Sequence, residues 1–157
     1  PFFEVIKGFA RILHTTEFSK MKSREKGYVY FQEFIPRNEY DVRVIVVNQK
    51  AFAIKRLVRT NDFRASGSGE ILYGKENFDK NTIYTAITLA DKLKTQCCAF
   101  DFVFDQNLNP LIVEISYGFA KEGYDSCVGY WDSKLNFHEG SFNPYGWMVD
   151  DLCKYGN

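Results

Sequence analysis

Two carboxylates flank a turn in the stretch CAFDFVFDQNLNPLIVEIS, Cys98 to Ser116, and their spacing is the first sign of chemistry in the chain. Phe100, Phe102 and Phe104 alternate with Asp101, Val103 and Asp105, the turn-rich QNLNP interrupts, and Leu111 to Ile115 resumes an apolar run, which together spell a β-hairpin. With an even-numbered loop centred between Asn107 and Leu108, Asp101 faces Glu114 and Val103 faces Ile112. Directly opposed side chains of an antiparallel pair sit about 5 Å apart at Cβ, so two like charges there destabilise the sheet unless something offsets them. A hard divalent cation does so: Mg²⁺ is typically held by one or two carboxylates together with phosphate oxygens of a nucleotide. Ser116, two residues beyond Glu114, shares that face. The alternative is a solvated hairpin whose acids never meet.

A second hairpin brings cations. Asp41 to Val47 alternates and then runs apolar, Asn48-Gln49 makes the turn, and Lys50 to Arg59 returns. Arg43, Lys55, Arg56 and Arg59 ride on it, and strands paired on both sides rarely carry so many cations without anionic company. An edge hairpin wearing Lys and Arg against aggregation is the competing reading.

The remaining elements must position these groups. Phe2 to Leu13 reads as a short strand pair broken at Lys7-Gly8, and Thr16 to Lys26 as a solvated helix. Tyr28 to Ile35, YVYFQEFI, is β-rich and ends at Pro36, with a polar turn over Arg37 to Glu39. Thr60 to Asn77 is a long irregular stretch whose Ser66-Gly67-Ser68-Gly69 run suits closure over an anion or a plain linker equally. Asn77 or Asp79 caps a helix over Thr82 to Gln96 with Ile83, Ile87, Ala90 and Leu93 on one face. Asn143-Pro144 opens a terminal helix that Trp147, Met148, Leu152 and Tyr155 would pack. The order predicts an α+β fold, an antiparallel sheet with helices packed on one side.

At 157 residues the chain is one domain or a piece of one. Lys plus Arg balance Asp plus Glu at 20 each and no dense basic block occurs, which argues against a nucleic-acid partner. No apolar run approaches the length of a membrane span, and no signal pattern opens the chain, so the expectation is a soluble, cytoplasmic protein. Cys97, Cys98, Cys127 and Cys153 follow no zinc or disulfide spacing and read as buried reduced thiols. His138 beside Glu139 has no further ligand at a suitable spacing and reads, like His14, as a surface histidine. The first residue is Pro1, which suggests a processed chain or an excised fragment.

FQEFI, then EYDVRVIVVNQKAFAIKR, NDFR, FDFVF and VEIS, in that order, form a compound signal. It resembles the ATP-binding core of the ATP-grasp superfamily, and is most similar to the branch of ribosomal-protein glutamate ligases and glutathione synthetases, over roughly Tyr28 to Gly123. The resemblance implies that Gln32 to Ile35 form a hinge strand beside adenine, the Glu33 carbonyl and Ile35 amide meeting the base edge and Phe34 and Ile35 walling the purine. It implies that Asp41 binds ribose, with Glu39 the second candidate. Arg43, Arg56 and Arg64 would meet an acyl-phosphate or an acceptor carboxylate. Asp101 and Glu114 would bind Mg²⁺, with Ser116 where the family usually has Asn. Lys7 is the candidate for a phosphate-contacting lysine, although VIKGFAR leaves little room for the glycine-rich loop expected after it.

By this resemblance residues 1–27 are a partial amino-terminal segment, 28–123 the nucleotide- and metal-binding core, and 124–157 an aromatic-rich extension of the same domain. The implied activity is an ATP-dependent carboxylate–amine ligase acting through an acyl-phosphate, with ATP and Mg²⁺ as cofactors and a small-molecule or peptide carboxylate and an amine as substrates. A missing amino-terminal domain would make the chain part of a larger enzyme. The rival readings are a non-catalytic nucleotide- or protein-binding module of the same fold, a kinase of that fold, and an aromatic-rich interaction domain.

Overall fold

The computed structural model describes residues 27–60, Ala65, Gly67 and residues 70–155. The chain divides into two compact units, Pro1–Phe34 and Ile35–Asn157. Of the first unit, residues 27–34 are described; they carry no strand or helix, and Tyr30 and Phe31 are exposed. The strand expected over Tyr28 to Ile35 is therefore corrected. Aromatic and β-branched composition favours a pleated surface but supplies no ladder, and among the described residues no strand pairs with this segment. The strand pair at Phe2 to Leu13 and the helix at Thr16 to Lys26 lie outside the described residues.

The second unit is an antiparallel sheet with two helices. Strands β1 (Tyr40–Val47) and β2 (Lys50–Leu57) form the central hairpin. Asn48 and Gln49 turn it with φ of 46° and 60°, the left-handed pair that a two-residue hairpin needs. A short β3 (Ile71–Leu72) pairs with β2; β4 (Cys97–Phe104) pairs with β1, and β5 (Pro110–Ser116) with β4. β6 (Gly129–Trp131) and β7 (Phe137–Glu139) add a hairpin beyond β2, giving the order β5-β4-β1-β2-β6-β7.

Helix α1 (Lys80–Leu93) begins where the Asp79 carboxylate accepts from the Asn81 and Thr82 amides at 2.9 and 3.3 Å. It ends at Lys94, whose left-handed φ of 53° stops the helix short of the expected Gln96. Its Ile83, Ala86, Ile87 and Ala90 bury against Val42, Val44 and Val46 of β1 and Phe100 and Phe102 of β4; Leu93, expected on that face, is exposed. Helix α2 (Pro144–Tyr155) starts as expected, with Pro144 in its first turn and the Asn143 side chain accepting from the Gly146 amide at 3.1 Å.

The α+β arrangement holds, with one difference in detail: the two helices take opposite faces of the sheet. Trp147 and Met148 of α2 join Phe119, Tyr124, Tyr130 and Phe142 against Ile45, Val47 and Phe52, on the side away from α1, while Leu152 is exposed. Phe52 lies within 5.0–6.4 Å, centroid to centroid, of four rings of this cluster. Edge-on and tilted contacts of this kind suit the ring quadrupoles.

Period-2 alternation thus gives β1 two personalities. Val42, Val44 and Val46 serve the helix-covered face, whereas Asp41, Arg43, Ile45 and Val47 share the other, charged at one end and apolar at the other.

Candidate functional site

The charged end of that second face is where the candidate residues meet. β1 lies between β2 and β4, and the ladders set Asp41 opposite Arg56 and Arg43 opposite Asp101. Across the β4–β5 hairpin Asp101 faces Glu114 and Ala99 faces Ser116, the register expected for the two acids. Beyond them it shifts. A bulge at Val113 pairs Phe102 with Ile112 and Val103 with Leu111, so the expected Val103–Ile112 pair is corrected. The loop has an odd number of residues because Asp105 closes it: its backbone N–H donates to the Asn109 carbonyl at 3.1 Å, and its side chain accepts from the Asn107 and Asn109 amides at 2.8 Å each.

The carboxylates are offset by guanidinium groups. Arg56 forks onto Asp41, Nε to Oδ1 at 2.7 Å and Nη2 to Oδ2 at 2.8 Å, and Nη2 also reaches Asp101 Oδ2 at 3.0 Å. Arg43 Nε lies 3.0 Å from Asp101 Oδ1, and its Nη2 lies 3.9 Å from Glu114 Oε1. One arginine thus bridges the two opposed acids, while the other ties Asp101 to Asp41. Side-chain exposure is 9% for Asp101, 11% for Arg56 and 15% for Asp41, against 63% for Glu114. Asp101 is buried and Asp41 and Arg56 are partly buried around it; Glu114 is the open end of the network.

Burial pushes the Asp41 carboxyl above its usual range while the Arg56 fork pulls it down. The Arg56 guanidinium is itself held charged by Asp41 and Asp101 against the cost of burial. Arg43 Nε and Asp101 Oδ1, though close, are not aligned, and neither makes a hydrogen bond. A buried carboxylate oxygen without a hydrogen bond, beside an exposed second carboxylate, is a donor set that fits a hard cation such as Mg²⁺. The Ser116 hydroxyl, on the same face, donates to the Gly118 carbonyl at 3.3 Å. Among the described residues no group of three or more His, Cys, Asp or Glu side chains gathers as a metal site.

The other candidates are placed as follows. Gln32, Glu33 and Phe34 belong to the first unit and are exposed, whereas Ile35 opens the second and is half-buried. Lys7 and Arg64 lie outside the described residues. Lys55 points to the helix-covered side, its ammonium 3.7 Å above the Tyr40 ring centroid, apart from the network. Glu39 lines a cleft of about 470 Å³ with Pro36, Asn38, Tyr40, Phe104 and Leu108.

Two residues of consequence were not apparent from the sequence. Asn38 donates to the Ile35 carbonyl at 3.2 Å and accepts from the Phe104 amide at 2.7 Å, fastening the segment after the expected hinge to the end of β4. Its setting in a Pro-Arg-Asn turn was the available signal. Tyr124 is buried next to the network, whose charges influence its phenol while burial pushes that phenol up. Nothing in its local sequence marks it.

Two arginines and three carboxylates converge on one face of an antiparallel sheet, a net-acidic arrangement that suits a hard cation. A family model for the RimK-like ATP-grasp domain matches residues 12–130, and the chain belongs to that family of ATP-binding domains. Among solved structures, the chain is similar to macrocyclase MdnB from Microcystis aeruginosa MRC, at 17% identity and a TM-score of 0.49, over 96% of this chain and 46% of that one. The chain thus spans less than half the length of that protein. No curated protein matches it.

Proposed function

We propose that the chain supplies the nucleotide- and phosphoryl-handling part of an ATP-dependent carboxylate–amine ligase, as a portion of a larger enzyme. The observation that carries this reading is the network of Asp41, Arg43, Arg56, Asp101 and Glu114 on one sheet face, inside the segment matched to the family. A substrate carboxylate oxygen attacks the γ-phosphorus of ATP, ADP leaves, and an acyl-phosphate forms. An amine nitrogen then attacks the acyl carbon, loses a proton, and phosphate departs with one oxygen of the original carboxylate.

No side-chain nucleophile is needed, so the residues position and neutralise. Arg43 and Arg56, pre-oriented by Asp101 and Asp41, present guanidinium charge to the developing anion. Asp41 serves the ribose, Gln32 to Ile35 the adenine, and Lys7 and Arg64 the phosphates and the acyl-phosphate. Asp101 and Glu114, with Ser116 beside them, hold Mg²⁺, which when bound neutralises phosphate charge. The four cysteines are all free thiols, which supports a reducing, cytoplasmic setting. No helix among the described residues is long and apolar enough to cross a membrane.

One observation favours a non-catalytic module instead: Arg43 already neutralises the two acids that would hold Mg²⁺. Hydroxylamine trapping separates these readings. Incubating the protein with ATP, Mg²⁺, hydroxylamine and a panel of amino acids is expected to give an ATP-dependent hydroxamate, lost in Glu114→Gln. Phosphate appearing on a substrate hydroxyl identifies a kinase, and no ADP with any substrate identifies the non-catalytic module; either result overturns the ligase reading.

A further inference from the structure

A cleft of about 500 Å³ opens on the network side of the sheet, and none of the five network residues lines it. Such a volume suits one amino-acid-sized ligand. One rim is the turn carrying Lys121, Tyr124 and Asp125; the other is the chain leaving β7 at Glu139 and running to Phe142. Both rims are held by backbone. The Tyr124 amide donates to the Lys121 carbonyl at 2.8 Å and the Cys127 amide to the Tyr124 carbonyl at 3.0 Å. Across the cleft the Gly140 amide donates to the Val128 carbonyl at 2.9 Å, and Gly140 turns the chain out of β7 with a φ of +126° that other residues rarely adopt.

The lining combines an aromatic wall with net negative charge. Lys121 and Asp125 pair at 3.5 Å, which leaves the exposed Glu139 as the uncompensated charge of the rim. The cleft also abuts the charged network. Tyr124 packs in one apolar cluster with Ile45 and Ile54, and those are the same-face neighbours of Arg43 on β1 and Arg56 on β2.

We propose that this cleft binds the amine substrate, a primary ammonium on an aliphatic arm, with Glu139 facing the charge and Tyr124 and Phe142 covering the arm. Its role as acceptor site rests on the ligase reading; its preference for an aliphatic cation does not. Tyr124 thus ties the cleft to the sheet face that carries Arg43 and Arg56, so an amine held there would lie on the side where an acyl-phosphate would form.

The test is binding of N-acetyl-lysine N-methylamide to the intact protein, followed by calorimetry and by perturbation of amide resonances at residues 121–128 and 139–142. The neutral norleucine and anionic glutamate counterparts are the comparators. The lysine probe is expected to bind best. Glu139→Gln weakens it about fivefold, the upper scale of a solvent-accessible ion pair, and Lys121→Met tightens it by a similar factor by releasing Asp125. Both side chains are exposed, and opposite signs from two such variants are not what a general loss of structure gives. Equal affinity for the three probes, or the same direction of change in both variants, overturns the proposal. Lysine-selective binding without ATP turnover would sink the ligase reading and leave the cleft standing. Hydroxamate formation whose competing amine has an unaltered KM in Glu139→Gln would do the reverse.

Discussion

Arg56 is the keystone of the ionic network, and replacing it with Met tests whether that network is an interdependent unit. The side chain makes two bonds to Asp41 and one to Asp101, at 2.7, 2.8 and 3.0 Å. Met fills much of the volume but leaves Asp41 without its fork, while Asp101 keeps Arg43 at 3.0 Å. Removing one partner of a buried pair costs about 3–5 kcal/mol, because the stranded charge must be desolvated without compensation. Retention of Arg43 sets the expectation at the lower end, about 3 kcal/mol, or roughly a 10 °C fall in thermal midpoint for a unit of this size. Arg56→Met combined with Asp41→Asn removes the stranded charge and should recover about 1 kcal/mol or more. Urea titration followed by circular dichroism measures both. A loss under about 1 kcal/mol in the single variant, or no recovery in the double, would refute the claim that Asp41 and Arg56 are mutually dependent.

Three further outcomes follow from other parts of the structure. In the β6–β7 turn, His138 and the Asn136 amide hold the Asp132 carboxyl below its usual range; a lowered folded value gives stability that is present above about pH 4 and lost on acidification. Asp132→Asn should therefore flatten the fall of the thermal midpoint between about pH 5 and pH 2, and an unchanged acid limb would contradict the assignment. Burial pushes the Cys127 thiol up to about 12, whereas Cys153 is exposed, so iodoacetamide at neutral pH should label Cys153 first and Cys127 only on unfolding; peptide mass analysis reads the order. Leu108 is exposed with a φ of +62°, so Leu108→Gly should raise stability by about 0.5–1 kcal/mol, and a loss in urea titration would show that its side chain packs.

The facing of Asp101 and Glu114 was legible because strict alternation across FDFVF fixes which side chains share a face. The bulge at Val113 was not: Leu111, Ile112 and Val113 are all apolar, so no polar residue marks where the alternation breaks. Helix α1 was readable from its cap at Asp79, and its end was overrun because Thr95 and Gln96 are acceptable in helices while the left-handed turn at Lys94 has no glycine to announce it. Tyr28 to Ile35 misled through composition. The β6–β7 hairpin was missed although its signal was present twice. DSKLN at 132–136 repeats the pattern of DQNLN at 105–109, with Asp accepting from amides two and four residues on and Leu at a φ of 62° in both. The same closure recurs because one side chain satisfies the amides that a five-residue loop leaves over. The aromatic cluster of Phe119, Tyr124, Phe142 and Trp147 was out of reach, since its members approach one another only once β6, β7 and α2 are in place.

The bridging of Asp101 and Glu114 by Arg43 bears on the order of events in the life of the chain. Acids that bring their own counter-ion need no cation from outside to let neighbouring strands close, so the sheet can be complete before any nucleotide arrives. Any cation that engages these two carboxylates must compete with an arginine already in place.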